Sequence, residues 1–254
     1  MENKGITITN NTTLGTLVTF FPDITQRLND LHVDYCCHGN ISIGEAIKEH
    51  RLSPDFLREL QDAYEAYRNR PDKSESVADM STEDLIRLII DTHHIPERQL
   101  WEEITPMLNK IMTVHYEHGK DLLLQLHRQF SLLRAELEEH FAEEECEVFP
   151  LMLQAETKLP KERKHLSKRV HELVSEHEGA GEVIHSIMAL TNNFTPPEYA
   201  CPTFKAAYAK MHELIDDIFL HIAKENSVLF PRFEEYSLHI IMTVFIISFA
   251  VSFR

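Results

Sequence analysis

His140-Phe-Ala-Glu-Glu144 recurs eighty-one residues later as His221-Ile-Ala-Lys-Glu225. Residues four apart on a helix share a face, one turn above each other, so each stretch presents an imidazole beside a carboxylate. That is a metal-ligand arrangement, and the chain carries it twice. Both copies continue into an apolar pair and a proline, Glu144-Glu-Cys-Glu-Val-Phe-Pro150 and Glu225-Asn-Ser-Val-Leu-Phe-Pro231, which marks an internal repeat. One further histidine, His94 or His177, lies in the helical segment ahead of each copy.

The elements that must position these residues are helices. Seven glycines in 254 residues is few, strand-like alternation is scarce, and 43% hydrophobic content can fill a sizeable core. A net charge of -16 argues against nucleic-acid or anionic-membrane binding, both of which need basic patches. The N-terminus lacks the apolar core of a signal peptide, so a reducing cytoplasm is expected, with the four cysteines as thiols.

Residues 1–72 read as a small N-terminal helical domain. Helical spacing runs from Leu14 to Leu28 with a break at Pro22, Ser42 suits the cap of a helix over Ile43–His50, and Ser53-Pro54 suits the start of another reaching Tyr67. A polar linker follows. Residues 80–236 then hold four long helical stretches, roughly 82–113, 119–153, 162–192 and 203–236, starting at Ser81. Short connections make successive helices antiparallel, which predicts an all-α, up-down-up-down four-helix bundle.

Depth in the bundle brings the ligands together. His94 lies about as far from the start of the first helix as His140 from the end of the second, and His177 and His221 match in the same way. Four histidines and two glutamates therefore reach one level, and two carboxylates able to bridge suit two metal ions, iron or manganese rather than thiolate-held zinc. His115 stands 21 residues beyond His94, about 31 Å along a straight helix, so His115 and His118 are expected in the far loop. His93 is expected to face solvent or an edge of the site, and Pro96 to kink its helix. Glu143, Glu145 and Glu147 read as a solvated acidic face, Glu176 as a candidate support for the site, and Cys146 as a buried inert thiol. Cys201, near the start of the fourth helix, is placed for a lowered pKa. The vicinal pair Cys36-Cys37 is either an exposed thiol site for iron, sulfide or nitric oxide, or packing for the small domain.

Asp34-Tyr-Cys-Cys-His-Gly39, Ser175-Glu-His-Glu-Gly-Ala-Gly-Glu182, Thr191-Asn-Asn-Phe-Thr-Pro-Pro197 and the stretch from Glu213 through His221 to Arg232 together resemble the hemerythrin-like iron–sulfur cluster repair di-iron proteins. The resemblance covers about residues 12–236. It implies a non-haem di-iron centre on His94, His140, Glu144, His177, His221 and Glu225, with Glu144 and Glu225 bridging. It also implies a cytoplasmic, often dimeric protein that restores iron–sulfur clusters damaged by oxidative or nitrosative stress, with damaged iron–sulfur proteins as its clients. Reduction of nitric oxide or peroxide at the same centre, and binding of a diatomic gas, are the alternative functions. Four histidines leave more open coordination than the five of an oxygen carrier, which favours chemistry or iron release.

Two features depart from that family. His38 stands where its members usually have glycine, in Cys-Cys-His-Gly. The apolar tail over 237–254 has 14 residues from Ile240 to Phe253, short of the about 20 a spanning helix needs, so a membrane anchor is not expected.

Overall fold

In the computed structural model, residues 5–36, 38–70, 77–155 and 160–233 are described, the side chains of 160–163 excepted. The fold is all-α, with no strand among the described residues beyond a single bridge between Thr13 and Ser42. Cys37 and the tail over 237–254 lie outside the described residues. No described helix is long and apolar enough to cross a membrane.

The N-terminal part holds α1 (Leu14–Phe20), α2 (Thr25–Asp30), α3 (Ile43–Glu49) and α4 (Phe56–Arg68). Their starts follow local chemistry. Thr13 Oγ1 accepts from the Thr16 amide at 3.2 Å, and Ser42 and Glu45 close a reciprocal capping box on α3. α4 begins later than Ser53-Pro54 suggested, because Ser53 Oγ accepts from the Asp55 amide in the preceding turn and Asp55 becomes the cap residue.

The bundle begins with α5 (Thr82–Ile89), capped by Ser81, and continues through α6 (Ile95–Glu143), α7 (Phe149–Ala155), α8 (Pro160–Leu190) and α9 (Pro202–Lys224). The long α6 is two antiparallel arms. Gly119, at φ −137° and ψ 25°, breaks the helix between them. The cross-arm pairs Asn109–His127 at 2.9 Å, Glu102–Arg134 at 2.5 Å and Arg98–Glu138 at 3.2 Å are each centred on residue 118, as a hairpin requires. The expected loop over 115–119 is thus a one-residue corner, and His115 and His118 are helical, with His115 buried. Helix α8 runs antiparallel to the second arm, through His140–Glu176 at 2.7 Å and Arg169 with Glu143 and Glu147. Helix α9 runs antiparallel to the first arm, through His93–Lys224 at 2.6 Å and Glu103–Lys210 at 2.5 Å. The topology is up-down-up-down.

Three π-helical turns interrupt the bundle helices, at Ile90–His94, Glu144–Val148 and Glu225–Leu229. Each closes with an amide bonded to the carbonyl five residues back, from Ile95, Phe149 and Phe230. Each of those residues precedes a proline: Pro96, Pro150 and Pro231. Proline lacks a donor and its ring clashes with the carbonyl four residues back, and one extra residue in the preceding turn relieves both problems. The disruption expected at Pro96 therefore takes the form of a widened turn upstream of it.

The apolar interior falls into two clusters. The larger includes Leu17, Leu28 and Leu60 of the N-terminal helices together with Trp101, Phe130, Ile184 and Leu214 of the bundle, so the small domain shares its core with the bundle. The smaller includes Leu85, Phe149, Val170, Leu229 and Phe230 at the other end. Trp101 is fully buried with its ring 5.0 Å from that of Phe130. Trp101→Ala is expected to cost about 3–5 kcal/mol in urea unfolding, the loss typical of an aromatic truncated in a packed core.

Candidate metal centre

The structure brings His94, His140, Glu144, His177, His221 and Glu225 to one level of the bundle, none more than 3% exposed. They form two half-sites that share both glutamates. Nε2 of His94 lies 3.1 Å from Nε2 of His221, and Nε2 of His140 lies 2.9 Å from Nε2 of His177. Glu144 turns Oε2 toward His94 at 3.4 Å and Oε1 toward His140 at 3.5 Å. Glu225 does the same, with Oε1 3.0 Å from His221 and Oε2 3.2 Å from His177. Each carboxylate addresses both imidazole pairs with separate oxygens.

The outward nitrogens decide what the inward ones can do. His94 Nδ1 meets Glu145 Oε1 at 2.7 Å, His140 Nδ1 meets Glu176 Oε2 at 2.7 Å, and His221 Nδ1 meets Glu97 Oε1 at 3.1 Å. His177 Nδ1 meets Asn226 Oδ1 at 2.9 Å; the Asn226 amide donates to the Cys36 carbonyl at 3.1 Å, so its oxygen is the end left for His177. An oxygen acceptor at Nδ1 keeps the proton there and turns the Nε2 lone pair inward. Lone pairs then face each other in pairs, beside two carboxylates. Both oxygens of Glu144 and Oε2 of Glu225 are buried without a hydrogen-bond partner. An orphaned buried acceptor costs about 1–3 kcal/mol, and more when it is charged. A cation between the facing nitrogens removes all of these costs, so the residues fit a metal.

Without one, the cluster borrows protons. Burial opposes charge on His140, but the Glu144 carboxylate outweighs it and lifts its pKa to about 10. His221 is likewise raised against burial by Glu225 and Glu97, and Glu225 is held well below the carboxylate range, burial notwithstanding, by His221.

Residues around the six were only partly visible in the sequence. Glu145, read as part of a solvated face, holds His94 and is itself held by Arg98 at 2.8 Å. Glu97 is fully buried and was not singled out; its signal was a carboxylate three residues beyond His94, on the same helical face. His93 is buried rather than solvent-facing: its ring stacks on that of His221 at 5.4 Å, Nδ1 meets Asp217 at 2.9 Å, and burial pushes its pKa down to about 4. His93, Glu97 and Asp217 also converge, but Lys224 Nζ, 2.6 Å from His93 Nε2, already fills the cationic place there. Cys146 is exposed, not buried. Cys36 is 2% exposed and its thiol meets Asp34 at 3.2 Å, so it packs the junction instead of offering an exposed thiol.

The family model described as the hemerythrin HHE cation binding domain matches residues 85–233, and ScdA_N, described as a domain of unknown function, matches residues 10–64. An iron–sulfur cluster repair protein, YtfE, of Edwardsiella ictaluri is 33% identical over 224 residues, covering 86% of this chain and 95% of that protein. The chain belongs to the iron–sulfur cluster repair family. Among the similar members are a probable iron–sulfur cluster repair protein of Haemophilus influenzae, 30% identical over 86% of this chain and 95% of its own length, and the repair protein ScdA of Staphylococcus haemolyticus, 27% identical over 89% and 99%. The matched cation-binding region of this family member contains all six converging residues.

Two outcomes follow for metal binding. Glu145→Ala is expected to weaken affinity about 10–100-fold, read by competition with a chelator, because His94 loses the acceptor that orients it. Uptake must also displace protons from His140 and His221. His140 has its folded pKa raised, so its charge stabilises the metal-free fold fully below about pH 6.5, and that contribution fades as pH rises through about 10. Metal affinity should therefore climb with pH across this window, with proton release seen by calorimetry in buffers of different ionisation heat. Binding without proton release would contradict the assigned protonation.

Proposed function

We propose that this protein holds two iron ions, one on His94 and His221 and one on His140 and His177, bridged by Glu144 and Glu225, and supplies iron to damaged iron–sulfur clusters. The observation that carries this reading is the pair of buried carboxylates, each turning a different oxygen to each pair of facing imidazole nitrogens. Imidazole and carboxylate donors without thiolate suit iron or manganese. The names of the relatives supply the role in cluster repair.

Bound iron would supply redox and ligand-exchange chemistry, with two imidazoles and two carboxylate oxygens per ion leaving positions open. The chain's own residues do the rest. Glu145, Glu176, Glu97 and Asn226 hold the four imidazoles in place. Phe141 stacks on His94 at 4.3 Å and Phe230 on His177 at 5.8 Å, keeping water from those faces. On the side of His140 and His177 a cavity of about 290 Å³ opens between the second arm of α6 and α8, rimmed by Glu136, Glu139, Glu143 and Glu176. Gly179 lines it, and a Cβ there would meet nothing within 4 Å. An acidic mouth of this kind attracts cations and gives iron a route in and out.

Glu144→Ala and Glu225→Ala should each lower retained iron by half or more, because each removes a donor from both ions; unchanged iron in both variants would refute the ligand set. The function is tested by incubating the iron-loaded protein with an apo iron–sulfur protein, a cysteine sulfur source and a reductant. Iron leaving this chain as the client gains its cluster supports donation. Iron that stays while nitric oxide or peroxide is steadily consumed would replace donation with a reductase.

A further inference from the structure

A cavity of about 420 Å³ lies where α2 and the turn after it meet α8 and α9, and none of the six converging residues lines it. That is room enough for a small organic molecule. Val33, Met188, Ile215 and Phe219 give it apolar walls. Its charged groups are the carboxylates Asp30, Asp34 and Asp216; the nitrogen side chains around it are imidazoles and amides, with no lysine or arginine among the described residues that line it.

Two polar atoms in the wall lack partners. Tyr35 is 1% exposed, and its hydroxyl has no hydrogen-bond partner. Asn29 Nδ2 donates to Asp216 Oδ1 at 2.8 Å, and a carboxylate only accepts, so the amide oxygen is the end left over. That oxygen too is buried without a partner. Buried polar atoms are nearly always satisfied, so two orphans in one cavity wall point to something that meets them there. Burial, with the charges of Cys36, Asp216 and Asp34 adding to it, pushes the Tyr35 pKa well above its usual range and keeps its hydroxyl protonated. Burial also lifts the Asp216 carboxyl above the usual range, against the pull of His212, which marks a carboxylate short of positive charge. The rim is strained backbone. Asn192, Asn193 and Phe194 take φ of 48°, 51° and 57°, and His32 takes 54°, in the left-handed region that residues with a Cβ seldom enter. Asn193 Nδ2 meets His32 Nε2 at 3.2 Å, tying the two strained turns together. Strain of this kind is kept where a ligand is clamped.

We propose that this cavity binds a small primary amine in its ammonium form, with an apolar body against Val33, Met188, Ile215 and Phe219 and its three N–H groups shared among Asn29 Oδ1, Tyr35 Oη and the Asp216 carboxylate. Water would meet the two orphaned atoms but leave the apolar walls wet and the carboxylates unbalanced; an ammonium on an apolar body answers all three. The rings of Tyr35 and Phe219, 6.4 Å apart and edge to face, add aromatic surface of the kind that attracts a cation.

The test titrates the intact chain, by calorimetry at pH 7, with three probes that share one apolar body: 2-phenylethylammonium, neutral 2-phenylethanol and anionic 3-phenylpropionate. The amine is expected to bind saturably at one site, about tenfold or more tighter than the alcohol, with no binding of the acid. Tyr35→Phe keeps the ring and removes an unpartnered hydroxyl, so it should leave the fold intact and weaken the amine about tenfold. The acidic mouth beside His140 is a competing place for a cation, and Ala189→Trp separates the two. Ala189 is an exposed residue of α8 that lines the cavity, and a tryptophan there should abolish binding by filling the space. No saturation at millimolar amine, equal affinity for amine and alcohol, or an amine affinity that either variant leaves unchanged would overturn the proposal.

Discussion

Two buried carboxylates and four buried imidazoles share one layer, and the rest of the bundle is arranged around that electrostatic problem. The inward nitrogens cannot donate to one another while their outward partners hold the protons. The carboxylate oxygens have no amide or hydroxyl to meet. Only positive charge at the centre resolves the layer, either as protons on His140 and His221 or as metal. Protons and metal therefore compete for one set of lone pairs.

The layer also divides the interior. Apolar side chains fill the bundle on both sides of it, as two clusters with the six polar groups between them. A polar layer that is only half satisfied weakens a core more than an apolar one would. What keeps this one in register is the outer ring of Glu97, Glu145, Glu176 and Asn226, which fixes each imidazole before any cation arrives. The shared core of the N-terminal helices and the bundle adds to that rigidity from the side of Cys36.

The convergence of the six residues was legible because helices count residues faithfully: equal depths from the turns place His94, His140, His177 and His221 at one height. The ring around them was only partly so: Glu176 stood out as a candidate support beside His177, whereas Glu145 was lost in a sequence full of surface glutamates, because only tertiary geometry separates a carboxylate that meets an imidazole from a solvated neighbour. The π-turns were half visible. Pro96 announced a disturbed helix, whereas Pro150 and Pro231 were read only as part of the repeat; whether a proline kinks a helix or widens the turn before it depends on the packing around it. The corner at Gly119 shows the reverse error, since a short polar stretch read as a loop is one in which helix continues almost to the glycine.

Asn226 carries one end of its side chain to His177 and the other to the Cys36 carbonyl. A single amide group thus joins the turn of the N-terminal part to the centre of the bundle, and a shift of that turn which breaks one bond frees the amide to rotate and break the other. Thermodynamic reciprocity then applies: whatever grips the cysteine turn differently in its two positions must alter the hold of His177 on any cation bound there by the same factor by which that cation would alter the grip.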